Sequence, residues 1–319
     1  MGSGAVVATL NRTIYRAIKA NSSLIVRSRS WRYHSGSAAR TSCCVTDDLG
    51  LEINPFYTFG EGMSDSATRG DTYDFARRIY RKLVHLASYN FILSSKRTRN
   101  VTVGDLRLTV PPTVFHPGIF VTSRMFANYI RCQTLQDLTV AEIGTGSGVL
   151  ALSAACAGAT KVVALDINPA AVAAAAANAA QNQLSHIVEA RLSDLLSAVA
   201  VDEYFDVIIS SPPSFAGEPK DMADRAWHAG DGYRHLEGLF RQSYSRLTPN
   251  GEMLILLSSD SNIALFKEWA TNVGFSWQQV AKKSIGVETF IIFYLCKGHH
   301  VGSKMLGLPS AAEPKTRYL

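Results

Sequence analysis

Val140-Ala141-Glu142-Ile143-Gly144-Thr145-Gly146-Ser147-Gly148-Val149-Leu150 decides the fold. An apolar run ends in an acid, three glycines follow at alternate positions, and a second apolar run opens behind them. That order predicts a buried strand, a tight loop and a helix. Without a Cβ, glycine lets backbone come close to a ligand, and the N–H groups at a helix start can face that ligand's polar atoms. The G-x-G-x-G spacing, with Glu142 two residues ahead of it, differs from the G-x-G-x-x-G dinucleotide loop.

Outward from this loop the pattern alternates. Strands are predicted over 138–143, 162–166, 187–190, 207–210 and 252–257. Helices fill the gaps, from the glycine loop to Ala157 and over 170–183, 235–247 and 262–272. Strands 277–281 and 289–295 close the chain without a helix between them, so the last should run antiparallel. The prediction is an α/β fold, a doubly wound, mostly parallel seven-stranded sheet. Two acids stand where strands end, Asp166 before Ile167 and Asp194 after Ser193. An ionised carboxylate accepts hydrogen bonds without donating any, so Asp166 suits the two hydroxyls of a ribose.

Ahead of the sheet, Val101–Val110 alternates apolar and polar residues around Gly104-Asp105, which predicts a hairpin ended by Pro111-Pro112. Phe75, Ile79, Leu83 and Leu86 recur at helical spacing with arginines opposite. The organisation read from this is a basic N-terminal segment over 1–46, a linker over 47–72, a helix and hairpin over 73–112, a catalytic domain over 113–298 and a tail over 299–319. The net charge of +6 is unevenly spread. Residues 1–46 carry no acid, and residues 75–100 hold Arg77, Arg78, Arg81, Lys82, Lys96, Arg97 and Arg99 without one. Any polyanion affinity therefore belongs to the N-terminal third. The first segment has the composition of a mitochondrial transit peptide or of a plain basic N-terminus, and a cytoplasmic location is the main expectation. No apolar run reaches the roughly 18 residues of a bilayer-spanning helix, so no membrane partner is expected. Five cysteines without a CxxC pair argue against a disulfide framework or a zinc site. Cys132, Cys156 and Cys296 read as core.

The chain resembles the class I S-adenosylmethionine-dependent methyltransferases over about residues 101–297. Glu142–Gly148 looks like their first motif, Asp166 like their ribose-binding acid and Asp194 like the residue facing the adenine amine. Phe205–Phe215 resembles the fourth motif, N/D/S-P-P-Y/F/W, of amino-group methyltransferases. Val114-Phe115-His116-Pro117-Gly118, with Thr122-Ser123, is similar to the segment preceding the first motif in the "small" methyltransferase group, which includes release-factor glutamine and ribosomal RNA guanine methyltransferases. The resemblance implies S-adenosylmethionine as cofactor, held by Glu142, Gly144, Thr145, Gly146, Gly148, Asp166, Ile167, Asp194, Thr122 and Ser211. It implies catalysis at Ser211, Pro212 and Pro213.

Substrate contacts are then expected from Ser214, Phe215, His116, Trp227 and His228, since the loop carrying the last two normally covers the acceptor. His235 is expected on a helix surface. Two positions depart from the motif. Ser211 stands where an Asn would clamp an NH2 group from both sides, and Ser214 stands where an aromatic would stack on it. The main expectation is therefore a small-molecule or amino-acid-like acceptor, methylated at nitrogen. The alternative is RNA or protein glutamine, bound through basic segment 77–99. A third possibility is non-methyl chemistry on S-adenosylmethionine, or binding alone.

Overall fold

The computed structural model describes residues 97–117, 121–285 and 288–298, together with a two-residue strand, β1 (Glu52–Ile53). The basic segment 1–46, the predicted helix from 73 and the tail 299–319 lie outside the described residues.

The hairpin forms as expected, from β2 (Arg99–Val103) and β3 (Leu106–Val110), paired antiparallel. Helix α1 (Val121–Arg131) follows. It was not predicted, although Met125, Phe126, Tyr129 and Ile130 bury one face of it at helical spacing. The sheet then alternates with helices: β4 (Thr139–Ile143), α2 (Val149–Cys156), β5 (Lys161–Asp166), α3 (Pro169–Gln181), β6 (Val188–Leu192) and β7 (Phe205–Ser210). It finishes with α4 (Leu239–Arg246), β8 (Leu247–Ser258), α5 (Ile263–Asn272), β9 (Gln278–Ile285) and β10 (Glu288–Cys296).

The strand order is β1-β9-β10-β8-β7-β4-β5-β6. Pairs among β8, β7, β4, β5 and β6 are parallel, and β10 runs antiparallel to both β8 and β9, as the missing crossover helix required. The seven expected strands are all present. An eighth, β1, lies inside the stretch read as a linker and pairs with the outer edge of β9. Two residues without a periodic pattern leave no strand signal to read. Residues of β4, β5, β7 and β8 such as Val140, Val163, Ile208 and Leu254 are fully buried, because helices cover both faces of a parallel sheet.

Helix 235–247 is shorter than predicted. Residues 231–236 form a 3-10 turn in which Gly232 and Tyr233 both have positive φ, and the α-helix starts only at Leu239. A left-handed tyrosine cannot continue a helix. The following strand begins early, at Leu247, with a register shift against β7 between Phe205 and Val207. Cys132 and Cys156 are exposed rather than core, while Cys296 is buried.

The hairpin is fastened to α3 by two asparagines one helical turn apart. Asn178 Oδ1 accepts the Thr109 N–H at 2.8 Å, and its Nδ2 donates to Thr109 O at 3.0 Å and to Ser147 O at 2.9 Å. Asn182 repeats the pattern on Arg107, accepting its N–H at 3.0 Å and donating to its carbonyl at 2.7 Å. A side-chain amide thus stands in for the neighbouring strand that β3 lacks on this edge. Helical i,i+4 spacing (about 6.0 Å) nearly matches the two-residue repeat of a strand (about 6.7 Å), which is why both rungs form.

Candidate functional site

The carboxyl ends of β4, β5, β6 and β7 meet at one edge of the sheet, the usual place for a ligand in such folds. There the N–H groups of Gly144 and Thr145 both donate to Leu165 O at 2.9 Å, which stitches the glycine loop to the end of β5. Glu142 lies beneath the loop, 1% exposed. Its Oε2 accepts the Thr145 hydroxyl at 2.6 Å and the Ala151 N–H at 2.8 Å. Burial pushes its carboxyl up to about 8, against the downward pull of those two hydrogen bonds. Glu142 and the buried Thr145 therefore shape the loop from within.

The three glycines divide their work. A Cβ on Gly144 (φ +79°) or Gly146 (φ +53°) would meet nothing within 4 Å, so both border open space where a ligand can approach. A Cβ on Gly148 would fall 3.1 Å from Ala175 Cα and Cβ. The third glycine, expected at the ligand, instead lets α2 and α3 pack closely.

Asp166 closes this half of the site. Its Oδ2 accepts the Gly146 N–H at 2.8 Å and its Oδ1 the Asn168 N–H at 2.9 Å, and the Ile167 N–H also bonds the carboxylate, which leaves it acceptor capacity for one further donor. Burial raises its pKa, while the N–H groups of Asn168 and Gly146 and the charge of Arg225 oppose the rise. Ile167 is half-buried beside it. Ser193 N–H donates to Asp166 O at 2.9 Å, which brings the exposed Asp194 to the same edge. Open space over two glycines, a carboxylate with spare acceptor capacity and a second acid nearby fit a nucleoside-bearing ligand such as S-adenosylmethionine.

The other half is built from the chain after β7. Ser210 is buried and its hydroxyl donates to Ile143 O, whereas Ser211 is exposed. Pro212, Pro213, Ser214 and Phe215 are half-buried. The chain then pairs with its own continuation: Phe215 N–H donates to Trp227 O at 3.0 Å, Ala229 N–H to Phe215 O at 2.9 Å, and Gly217 and Gly230 exchange two hydrogen bonds. This pairing stacks the Phe215 ring on Trp227, with centroids 6.1 Å apart and 16° between planes. It also sets Phe215 5.8 Å from the His228 ring. Phe115 meets Trp227 edge-on at 5.7 Å, which carries the 113–117 segment to the same place. His116 beside it is buried, and burial, followed by the charge of Arg99, lowers its proton affinity. Thr122 is half-buried in the first turn of α1.

Three residues here escaped sequence reasoning. Tyr233, at φ +63°, donates its hydroxyl to Ser214 O at 2.9 Å and accepts the Asn262 N–H at 3.1 Å, so it props the Pro-Pro segment against the start of α5. Asp224 is buried on the turn before Trp227. Arg225 acts through its charge on both Asp166 and His235. His235 sits in the 3-10 turn with Nδ1 buried, not on the expected helix surface. The spacing of Asp224 and His228, four residues apart, was the one signal that could have found Asp224.

Residues 91–211 match the family model described as "Ribosomal protein L11 methyltransferase (PrmA)". The ribosomal protein L11 methyltransferase of Heliobacterium modesticaldum is 37% identical over 112 residues, 34% of either chain. The release factor glutamine methyltransferase of Cereibacter sphaeroides is 35% identical over 130 residues, 37% of this chain and 45% of that one. The crystal structure of a ribosomal protein L11 methylase from Lactobacillus delbrueckii subsp. bulgaricus aligns with 63% of this chain and 100% of its own, at 22% identity and a TM-score of 0.46. The chain spans about a third of the length of the first L11 methyltransferases it matches. Across the matched region the chain is similar to class I S-adenosylmethionine-dependent methyltransferases of the PrmA type.

Proposed function

We propose that this protein transfers a methyl group from S-adenosylmethionine to a nitrogen of a macromolecule of the translation apparatus, a ribosomal protein before an RNA. The observation that carries the reading is the similarity to enzymes named for such substrates, with the family match over residues 91–211 taking in the glycine loop, Asp166 and Ser211. The small-molecule acceptor that stood first in the sequence reading gains no support from those relatives, and its alternative does. Ser211 offers a single polar atom where an Asn clamp offers a separate carbonyl oxygen and amide nitrogen, which sets a glutamine amide behind other protein nitrogens.

S-adenosylmethionine supplies an electrophilic methyl group on a sulfonium. The chain's own part is positional. Asp166 and the Gly144–Gly146 backbone would hold the nucleoside. Ser211 and the Pro212-Pro213 backbone would aim the acceptor nitrogen, and the Phe115, Phe215 and Trp227 rings would wall it from water. Orientation in a dry site is most of what an already reactive methyl donor requires.

The test is incubation of the full chain with methyl-labelled S-adenosylmethionine and, separately, ribosomal proteins stripped from large subunits, ribosomal RNA, a release factor and a small-molecule extract. Label in a ribosomal protein is expected. Label confined to the RNA or the extract would overturn the reading, and release of methylthioadenosine without label transfer would overturn methyl transfer itself.

A further inference from the structure

We propose that His228 is the proton acceptor of the acceptor pocket and that Asp224 is the positioning residue that holds it in the working tautomer. The inference rests on the methyl-transfer reading for its chemistry, and on the geometry of one turn for its residues.

Asp224 is a carboxylate 1% exposed. Its two oxygens are used differently. Oδ2 accepts the Lys220 N–H at 3.0 Å, and Oδ1 lies 3.2 Å from His228 Nδ1. The main chain fixes the pair, because His228 N–H donates to Asp224 O at 3.0 Å across the same turn. The bridge between Phe215 and His228 then ties the histidine to the strand-like continuation of Ser211-Pro212-Pro213. Gly217 leaves room for the ring, since a Cβ there would come within 3.2 Å of His228 Cδ2.

A buried carboxylate accepts and never donates while ionised, so it favours the imidazole with its proton on Nδ1. Nδ1 is sealed from solvent while about a fifth of the side chain stays exposed, 21%. Nε2 is then the nitrogen able to meet an acceptor group, with its lone pair free of a proton. In the reaction the lone pair of the acceptor nitrogen forms a bond to the methyl carbon. The carbon–sulfur bond breaks and its electron pair stays on sulfur, leaving neutral S-adenosylhomocysteine. The proton displaced from the acceptor nitrogen goes to His228 Nε2, and the imidazolium so formed faces the Asp224 carboxylate. A base in this position is worth about 10²- to 10⁴-fold in rate.

Two measurements on the full chain test the pair. Long-range ¹⁵N–¹H spectra of the histidine rings should show His228, assigned by its loss in His228→Gln, as the Nδ1–H tautomer. In Asp224→Asn, whose amide can donate to Nδ1, the proton should move to Nε2. An Nε2–H form in the unmodified chain, or no change in Asp224→Asn, would overturn the proposal whether or not an acceptor is in hand. Kinetics with large-subunit ribosomal proteins should show His228→Gln lowering kcat about 10²- to 10⁴-fold with cofactor affinity unchanged, and added imidazole restoring part of the rate in His228→Ala. Unchanged kcat in His228→Gln would overturn it. Absence of transfer by the unmodified chain would sink the proposed function instead, and the tautomer alone would then decide the pair.

Discussion

On the β4–β6 side, the glycine loop is pinned by Leu165 O, by the buried Glu142 and by the Asp166 carboxylate, and apart from the Thr145 hydroxyl on Glu142 these contacts reach main-chain atoms close to a strand end. On the β7 side, the Pro-Pro segment is followed by a long loop that pairs with itself and is held by rings and by one tyrosine hydroxyl. The first half is fixed by the sheet, so it can serve one ligand of constant shape. The second is fixed by its own side chains, so its shape can be rewritten without touching the fold. On the proposed reading, the cofactor belongs to the first half and the choice of acceptor to the second.

The sharpest break of that comparison would come from Glu142. Its folded pKa, about 8, lies above the ordinary 4.5, so the native state binds the extra proton between those values. Stability should therefore be fullest below pH 4.5 as far as this group is concerned, and should fall as pH rises towards 8, by at most roughly 1.4 kcal/mol per pH unit. Glu142→Gln keeps an acceptor for Thr145 and Ala151 and needs no proton. Denaturant unfolding across that range should find its pH slope flattened, and parallel slopes would show that Glu142 is not the buried group responsible.

Asn178→Ala comes next. It leaves Thr109 N–H, Thr109 O and Ser147 O without their amide partner, and a buried orphan costs about 1–3 kcal/mol. A loss of about 3 kcal/mol in urea unfolding is expected, against well under 1 kcal/mol for the exposed rung at Asn182. Equal losses at both positions would mean that the buried rung has no special part in joining hairpin to loop.

Asp166→Ala should weaken S-adenosylmethionine binding by about 1.5–3 kcal/mol in calorimetry, the scale of hydrogen bonds to a charged group. Unchanged affinity would remove Asp166 from the cofactor site. The smallest effect belongs to the second half. Tyr233→Phe deletes the donor to Ser214 O and the acceptor of Asn262 N–H, for about 1–2 kcal/mol of stability. It should raise KM for the acceptor while leaving cofactor affinity alone. A cofactor affinity that fell with it would show that the two halves are not independent.

The same division governs what could be read from the sequence. Glu142, Gly144, Gly146 and Asp166 act next to their own strand ends, so spacing along the chain carried their meaning. Asn178 acts on Thr109, 69 residues away, and in an alanine tract it read only as an interruption. Tyr233 lay just ahead of the predicted helix 235–247 and drew no structural role, because a positive φ in a non-glycine leaves no trace in hydrophobic period. Trp227 and His228 were placed over the acceptor from their loop alone. The buried Asp224 that faces His228 became visible only when the turn closed. Helix α1 was hidden because the residues before it read as part of a motif.

The two asparagine rungs work as a vernier. Helix and strand scales, about 6.0 and 6.7 Å per step, agree closely over one step and drift apart by about 0.7 Å with each further one. A third rung would already be strained, so the clasp has a natural length of two. Inserting a single residue in β3 between Arg107 and Thr109 would turn one rung to the wrong face, whereas lengthening the hairpin at its Gly104-Asp105 tip would leave both engaged. The hairpin can therefore grow or change at its tip over generations while its root stays locked to Ser147 and the cofactor loop.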